Sequence, residues 1–335
     1  MKRKGLLRVL GSVSFAVVLI VLVILGARLN LALAQQDEGR YPSKRIICIV
    51  PFAPGGNMDG NARMMSKLMP DYLPNRVNVI VKNVVGAEAQ KGTLEIYRAK
   101  PDGYTISVFQ LPAQILDAVI HLEKRVGEGI MNVTWLGVMT TYVNVGYVKA
   151  DAPFKTIGDL QSADRIKIGS SGGSGLYNAK LIPHVLGLKG HLVAGYRSSR
   201  DVVVGLVRGD VDLINQSVAT GLKYVENGDI RPLYIIGPAR VKEFPDTPTL
   251  GELGYPELRN CYAGRFIVGP PGMDPKHADI LSAAIMKSVD SPSFLEYCKK
   301  GALDVVTPAK TRQETEAMAK DIYTVWGKYM NLFRK

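Results

Sequence analysis

The sequence predicts an α/β chain built as two similar halves. Three observations carry this. Apolar strand-like runs alternate with stretches of helical periodicity, and the alternation is set out twice. Each half also has a Gly-rich turn directly after an apolar run: PFAPGGNMDG at 51–60 and IGSSGGSG at 168–175. With 335 residues, 47% of them hydrophobic, the chain has material for one large domain or two medium lobes with cores of their own.

The N-terminus comes first. Lys2, Arg3, Lys4, Arg8 and Arg28 lie in residues 1–34, where there is no acid, and FAVVLIVLVILGA has signal-peptide rather than membrane-spanning length. Ala32-Leu33-Ala34 supplies a small-x-small cleavage pattern, so the exported chain is expected to begin near Gln35. The alternative is an uncleaved N-terminal anchor. No cysteine stands at the cleavage site, which gives a lipid anchor nothing to attach to. Cleavage lowers the formal charge of +12 by five.

RIICIVPF then reads as a buried strand, and Asp59 is expected to cap a helix in which Ala62, Met65, Met69 and Tyr72 recur at helical spacing. VNVIVKNV is a second strand, residues 90–99 a helix and YTISVF a third strand. A βαβαβ unit implies a parallel sheet with helices on both faces. In the second half WLGVM and VNVGYV are strand-like, KTIGDL introduces a helical turn, and RIKIGSSGGSG is a strand running into a loop. DVVVGLVRGDVDLI reads as helix, turn and strand, with Asp210 and Asp212 in the turn, and RPLYIIG as a further strand. GRFIVGPPGMDP is a strand leading to a turn, and the final 65 residues are mostly helical. Thr311 and Glu314 form a capping box for a last helix through Ala317, Ile322, Trp326 and Met330.

Several classes of function are poorly served. Cys48 lies inside a strand and reads as a small buried hydrophobe, which leaves Cys261 and Cys298 as candidates for a bond. Four scattered histidines give a metal site little to build on, so no metal or cofactor is expected. Lys and Arg are dispersed without a basic run or interleaved aromatics, which argues against nucleic acid.

The two Gly-rich loops carry the chemistry. A strand-to-helix turn of this kind turns N–H groups toward the positive end of a helix dipole, so an anion is its natural ligand. PFAPGGNMDG lacks the GK[ST] of a phosphate-binding loop, and a carboxylate needs fewer donors. IGSSGGSG also matches G-x-S-x-G, which would make Ser171 a hydrolase nucleophile with Asp212 and His277 as partners. The competing reading takes Ser170, Ser171 and Ser174 as hydroxyl donors to an anion. A cleft lined by both loops is the simplest arrangement that uses them together. Tyr104, after the turn Pro101-Asp102-Gly103, reads as a buried aromatic.

PFAPGGNMDGNAR resembles the PFxPGGxxDxxAR signature of the substrate-binding receptors of tripartite tricarboxylate transporters, the Bug receptor family. KPDGYTI, the IGSSGGSG loop, the segment from Tyr196 to Asp212, FPDTPTLGELGYPEL and IVGPPGMDP continue the likeness in order. The resemblance implies a type II periplasmic binding protein fold, two α/β lobes joined by two crossing strands, VNVGYV and GRFIVGP. Lobe one would be 41–144 with 266–335, and lobe two 145–265. It further implies a non-catalytic periplasmic receptor, a monomer, that closes on a small organic carboxylate and delivers it to membrane transporter subunits of the tripartite type. An extracytoplasmic sensor input is the other role that such a receptor fills.

The ligand would be held by Phe52, Pro54, Gly55, Gly56, Asn57 and Asp59 from the first loop, helped by ordered waters. Ser170, Ser171, Gly173 and Ser174 would close from the second. Departures from the family pattern add candidates. VVGAEAQKG places Glu88 where glycine is usual, there to repel a second negative charge or accept from a hydroxyl or amine. QLPAQ offers the amides of Gln110 and Gln114. In YRSSRD, Tyr196, Arg197 and Arg200 stand near the expected cleft, the arginines as partners for a distal carboxylate.

Overall fold

The computed structural model describes residues 41–55, 57–87, 89–122, 124–170, 173–196, 198–259, 261–300 and 308–334. The expected signal and its expected cleavage point, Gly56, Glu88, Ser171 and Arg197 lie outside these. Residues up to Ser43 separate as one unit, and Lys44–Lys335 forms another that carries two five-stranded sheets.

Sheet one is built from β1 (Ile46–Val50), β2 (Val79–Asn83), β3 (Thr105–Leu111), β4 (Thr134–Tyr142) and β10 (Ala263–Gly269), in the order β2-β1-β3-β10-β4. Sheet two holds β5 (Asn144–Lys149), β6 (Ile166–Gly169), β7 (Gly190–Val193), β8 (Leu213–Ser217) and β9 (Ile230–Ile236), in the order β7-β6-β8-β5-β9. The two orders follow one plan. Three parallel strands come first, β2-β1-β3 and β7-β6-β8, and then a strand antiparallel to its neighbours, β10 in one sheet and β5 in the other.

The expectation of a parallel sheet therefore holds for the βαβαβ units and not for the whole of either sheet. The reason is connectivity, because each inserted strand arrives from the other half of the chain. β5 and β10 each lie whole within one sheet. The chain changes sheet at Val143 and again between Ile236 and Ala263.

Helices fill the crossovers. In sheet one these are α1 (Asn57–Leu68), α2 (Gln90–Tyr97), α3 (Ala113–His121) and α4 (Lys124–Gly129). α5 (Ile157–Ser162), α6 (Gly173–Val185), α7 (Ser199–Arg208) and α8 (Val218–Glu226) serve sheet two. Of the C-terminal helices α9 (Pro275–Val289), α10 (Pro292–Lys300), α11 (Arg312–Gly327) and α12 (Met330–Phe333), α9 and α11 pack against β4 of sheet one, and α12 packs against α6. The capping box expected at Thr311 forms: its hydroxyl accepts from Glu314 N, while Glu314 Oε2 accepts from Thr311 N at 2.9 Å. Thr156 and Asp159 make a second at the start of α5.

The halves meet in an apolar joint. The Tyr177 ring of α6 lies edge-on to Phe333 of α12 at 5.0 Å and to Trp326 of α11 at 6.3 Å, and its hydroxyl donates to Asp117 of α3. Cys48, Cys261 and Cys298 are all free and buried, so Cys261 and Cys298 do not bond. Burial pushes the thiols of Cys48 and Cys261 up to about 12 and that of Cys298 to about 11. They are inert packing groups.

Candidate functional site

In an open α/β sheet, loops and helix N-termini gather beyond the carboxyl ends of the parallel strands. In sheet one the loop from β1 to α1 stands there. Gly55 adopts φ +81°, a left-handed conformation that glycine takes without cost, and Pro54 and Gly55 are exposed. The helix begins at Asn57, so Asp59 is inside its first turn instead of preceding it, a correction to the expected cap.

From that position the Asp59 carboxylate reaches back and closes the turn. Its Oδ2 accepts from Gly55 N at 2.9 Å and Arg63 Nε at 2.8 Å, and its Oδ1 from Asn83 Nδ2 at 2.9 Å. Asn83 Nδ2 also donates to the carbonyl of half-buried Phe52 at 2.9 Å, which pins the loop to the end of β2. The Arg63 guanidinium, ahead of the Gly55 and Asn83 donors, holds the buried Asp59 carboxyl at about 2. Asp59 thus spends both oxygens on the loop, and the Gly55 amide points at Asp59.

Further along sheet one, Gln110 lies one residue before the end of β3. Its side-chain amide donates to Tyr142 Oη at 2.8 Å, and its backbone N donates to Gln114 Oε1 at 3.1 Å. Gln114 is buried and donates in turn to Thr93 Oγ1 at 2.8 Å, so it supports α3 from within.

In sheet two the second loop follows β6. Ser170 is fully buried, with its N–H on Val193 O at 3.0 Å, and α6 starts at Gly173 with Ser174 as its second residue. A methyl placed on Gly175 would stand 3.7 Å from Gln216 Nε2 and 3.8 Å from Ser170 Oγ, so both polar groups lie beneath the first turn of α6. Gln216 is buried at the carboxyl end of β8, and its Nε2 has no hydrogen-bond partner among the described residues. A buried amide donor left in this state costs about 1–3 kcal/mol, which an acceptor brought by a ligand would return.

Two further expected residues lie at and just before the start of α7. Tyr196 is half-buried with its hydroxyl end over Gly205 of α7, where a methyl would lie 2.5 Å from Oη, and burial followed by the Asp210 charge raises its pKa. Arg200 is exposed in the first turn of the same helix, whose N-cap is Ser198. The hydrolase arrangement finds no support in its partners. Asp212 Oδ2 accepts from Lys167 N at 2.7 Å between β6 and β8, whereas His277 belongs to α9, which packs on β4 of sheet one. Among the described residues no three His, Cys, Asp or Glu side chains gather in a way that would hold a metal.

Two similar α/β sheets, each with a polar strand-to-helix turn and linked where the chain changes sheet, define a ligand-binding protein of the periplasmic solute-receptor class. Residues 62–332 match the model of TctC, the tripartite tricarboxylate transporter family receptor, and the chain belongs to that family. It is a receptor and not an enzyme, and membership implies a ligand and a tripartite transporter. It is 28% identical over 290 residues to Protein BugT of Bordetella pertussis, covering 83% of this chain and 87% of that protein. Among solved structures it is similar to a TctC solute-binding protein from Polaromonas, with TM-score 0.74 and 23% identity over 86% of this chain and 98% of the other. It is also similar to MatC of Rhodopseudomonas palustris, solved with bound malate, with TM-score 0.65 and 20% identity over 87% and 99%.

Asn83, Tyr142, Gln216 and Arg265 belong to no motif in the sequence. Only the last two leave a trace in the sequence: a polar end, NQS, to an apolar strand, and a lone charge in GRFIVG.

Proposed function

We propose that the receptor captures a small organic carboxylate between two lobes, residues 41–144 with 266–335 and residues 145–265, and presents the closed form to a tripartite tricarboxylate-type transporter. The change of sheet at Val143 and before Ala263 supports that division to within a few residues. The chain works as a monomer in the periplasm after cleavage near Ala34. The observation that carries the reading is Gln216 Nε2, a buried donor unpartnered among the described residues, beside Ser170 at the carboxyl ends of β6 and β8.

Like it in chemical kind is the N-terminus of α1 after the exposed turn at Pro54 and Gly55, whose first N–H groups lack helical partners. The first loop supplies Phe52, Pro54, Gly55, Gly56 and Asn57, with Asp59 holding its shape. Ser170, Ser171, Gly173 and Ser174 with Gln216 supply the second, and Gln110, Tyr196 and Arg200 border the ligand. MatC, with malate bound in a similar fold, is consistent with an acid of this size.

The test is thermal melting of the exported protein against mono-, di- and tricarboxylates, acidic amino acids and inorganic phosphate. A ligand at a hundred times its dissociation constant adds about 2.7 kcal/mol, a rise of several degrees. A rise confined to carboxylates is expected. A rise with phosphate alone, or with nothing in the panel, overturns the reading.

A further inference from the structure

Arg265 is a single cation in the apolar strand β10 and is only 7% exposed. Its Nε donates to Met58 Sδ at 3.1 Å and its Nη1 to Thr140 Oγ1 at 2.9 Å, and its guanidinium carbon stands 5.2 Å from the centre of the Tyr142 ring. The remaining Nη2 makes no hydrogen bond among the described residues, and no carboxylate there pairs with the group. The nearby titratable groups are Tyr142, Tyr297 and Cys298. Burial raises the pKa values of Tyr297 and Cys298, which keeps both neutral. Asp59, an acid of the neighbouring α1, has both oxygens occupied. Burial pulls the guanidinium below its ordinary value, but arginine does not deprotonate in proteins. A buried cation without a countercharge is costly to keep, and a hydrophobic residue of similar volume would serve the fold better.

The position of Arg265 says what keeps it. It pairs across the sheet with Gln110, one residue from the end of β3, and with Thr140, two residues before β4 ends at Tyr142. The chain leaves sheet one directly after Tyr142 and re-enters it at Ala263, so Arg265 stands at the end of the sheet where the chain crosses to the other half. Met58, whose sulfur it touches, is the second residue of α1. The cation therefore lies under the helix N-terminus that follows the exposed turn, with the Gln110–Tyr142 pair beside it.

We propose that Arg265 is the countercharge for a carboxylate of the ligand and selects dicarboxylates over monocarboxylates, an inference that rests on the receptor reading above. Charge balance argues for two acid groups. The N-termini of α1 and α6 contribute roughly half a positive charge each and Arg265 a whole one, while the Ser170 and Gln216 donors add none, so a dianion balances the site and a single carboxylate leaves it positive by about one. Met58 and Thr140 occupy two guanidinium donors and leave Nη2 for the incoming oxygen.

The test is calorimetric titration of the exported protein with succinate and adipate against butyrate and hexanoate, which match them in length and lack one charge. The native chain is expected to prefer the diacids by about 10- to 100-fold, the value of one charged hydrogen-bonded contact. R265M should erase that preference, hold monoacid affinity within about twofold, and melt without ligand no lower than the native chain. R265K, which keeps the charge and loses the fork, should retain part of the preference and covers the case in which R265M does not fold. Diacid affinity unchanged in both variants, or a native preference for monoacids, overturns the inference and leaves the receptor reading standing. Failure of every acid to bind the native chain overturns the receptor reading itself.

Discussion

At the scale of single residues, the Asp59 network makes a prediction with a definite sign. The carboxyl is held at about 2, below the ordinary aspartate value near 3.9, so its contribution to stability is present above about pH 4 and is lost as pH falls through about 2. Asp59→Asn should cost about 1.5–3 kcal/mol at neutral pH, the value of hydrogen bonds to a charged group. Urea melts of both proteins should converge between about pH 4 and pH 2, and a constant gap across that window would show that the charge is not what holds the turn. The carboxylate and the glycines before it were legible in the sequence because they are local. Asn83, which binds Asp59 from 24 residues away, was not, since nothing in a linear pattern announces a partner across a crossover. Gln216 and Arg265 escaped for another reason: strands are recognised by their apolar positions, and a polar residue inside one reads as noise until its surroundings are known.

At the scale of elements, legibility followed the range of the forces involved. The α11 capping box is set by residues three apart and was read correctly; Thr311→Ala should lower stability by about 1 kcal/mol, measured as a drop in the thermal midpoint, and a midpoint equal to the native one would mean the cap is idle. Nine strands stand where their apolar runs placed them. The tenth, β7, is four residues long with Gly190 and His191 exposed, too short and polar to give an alternating signal. α3 is buried at every position from Ala113 to Ala118 and so has no polar face to mark its period. α6 opens with glycines and contains Pro183, both of which argue against a helix locally and are overridden by packing against sheet two. The direction of β5 and β10 depends on which half each strand comes from, which periodicity does not report.

At the scale of the whole molecule, the repeated strand order of the two sheets places one polar strand-to-helix turn in each half, and the account of function depends on those turns acting on one ligand. The Tyr177, Trp326 and Phe333 rings and the Tyr177–Asp117 hydrogen bond show where the halves touch through helices. The sequence contained every one of these residues without showing that C-terminal helices reach α6. Closure of two lobes on a carboxylate is checked by small-angle X-ray scattering of the exported protein. With a saturating dicarboxylate the radius of gyration should fall, and with the matching neutral diamide it should not. A radius that stays constant while the diacid binds, or that falls equally with the diamide, would contradict closure on a carboxylate.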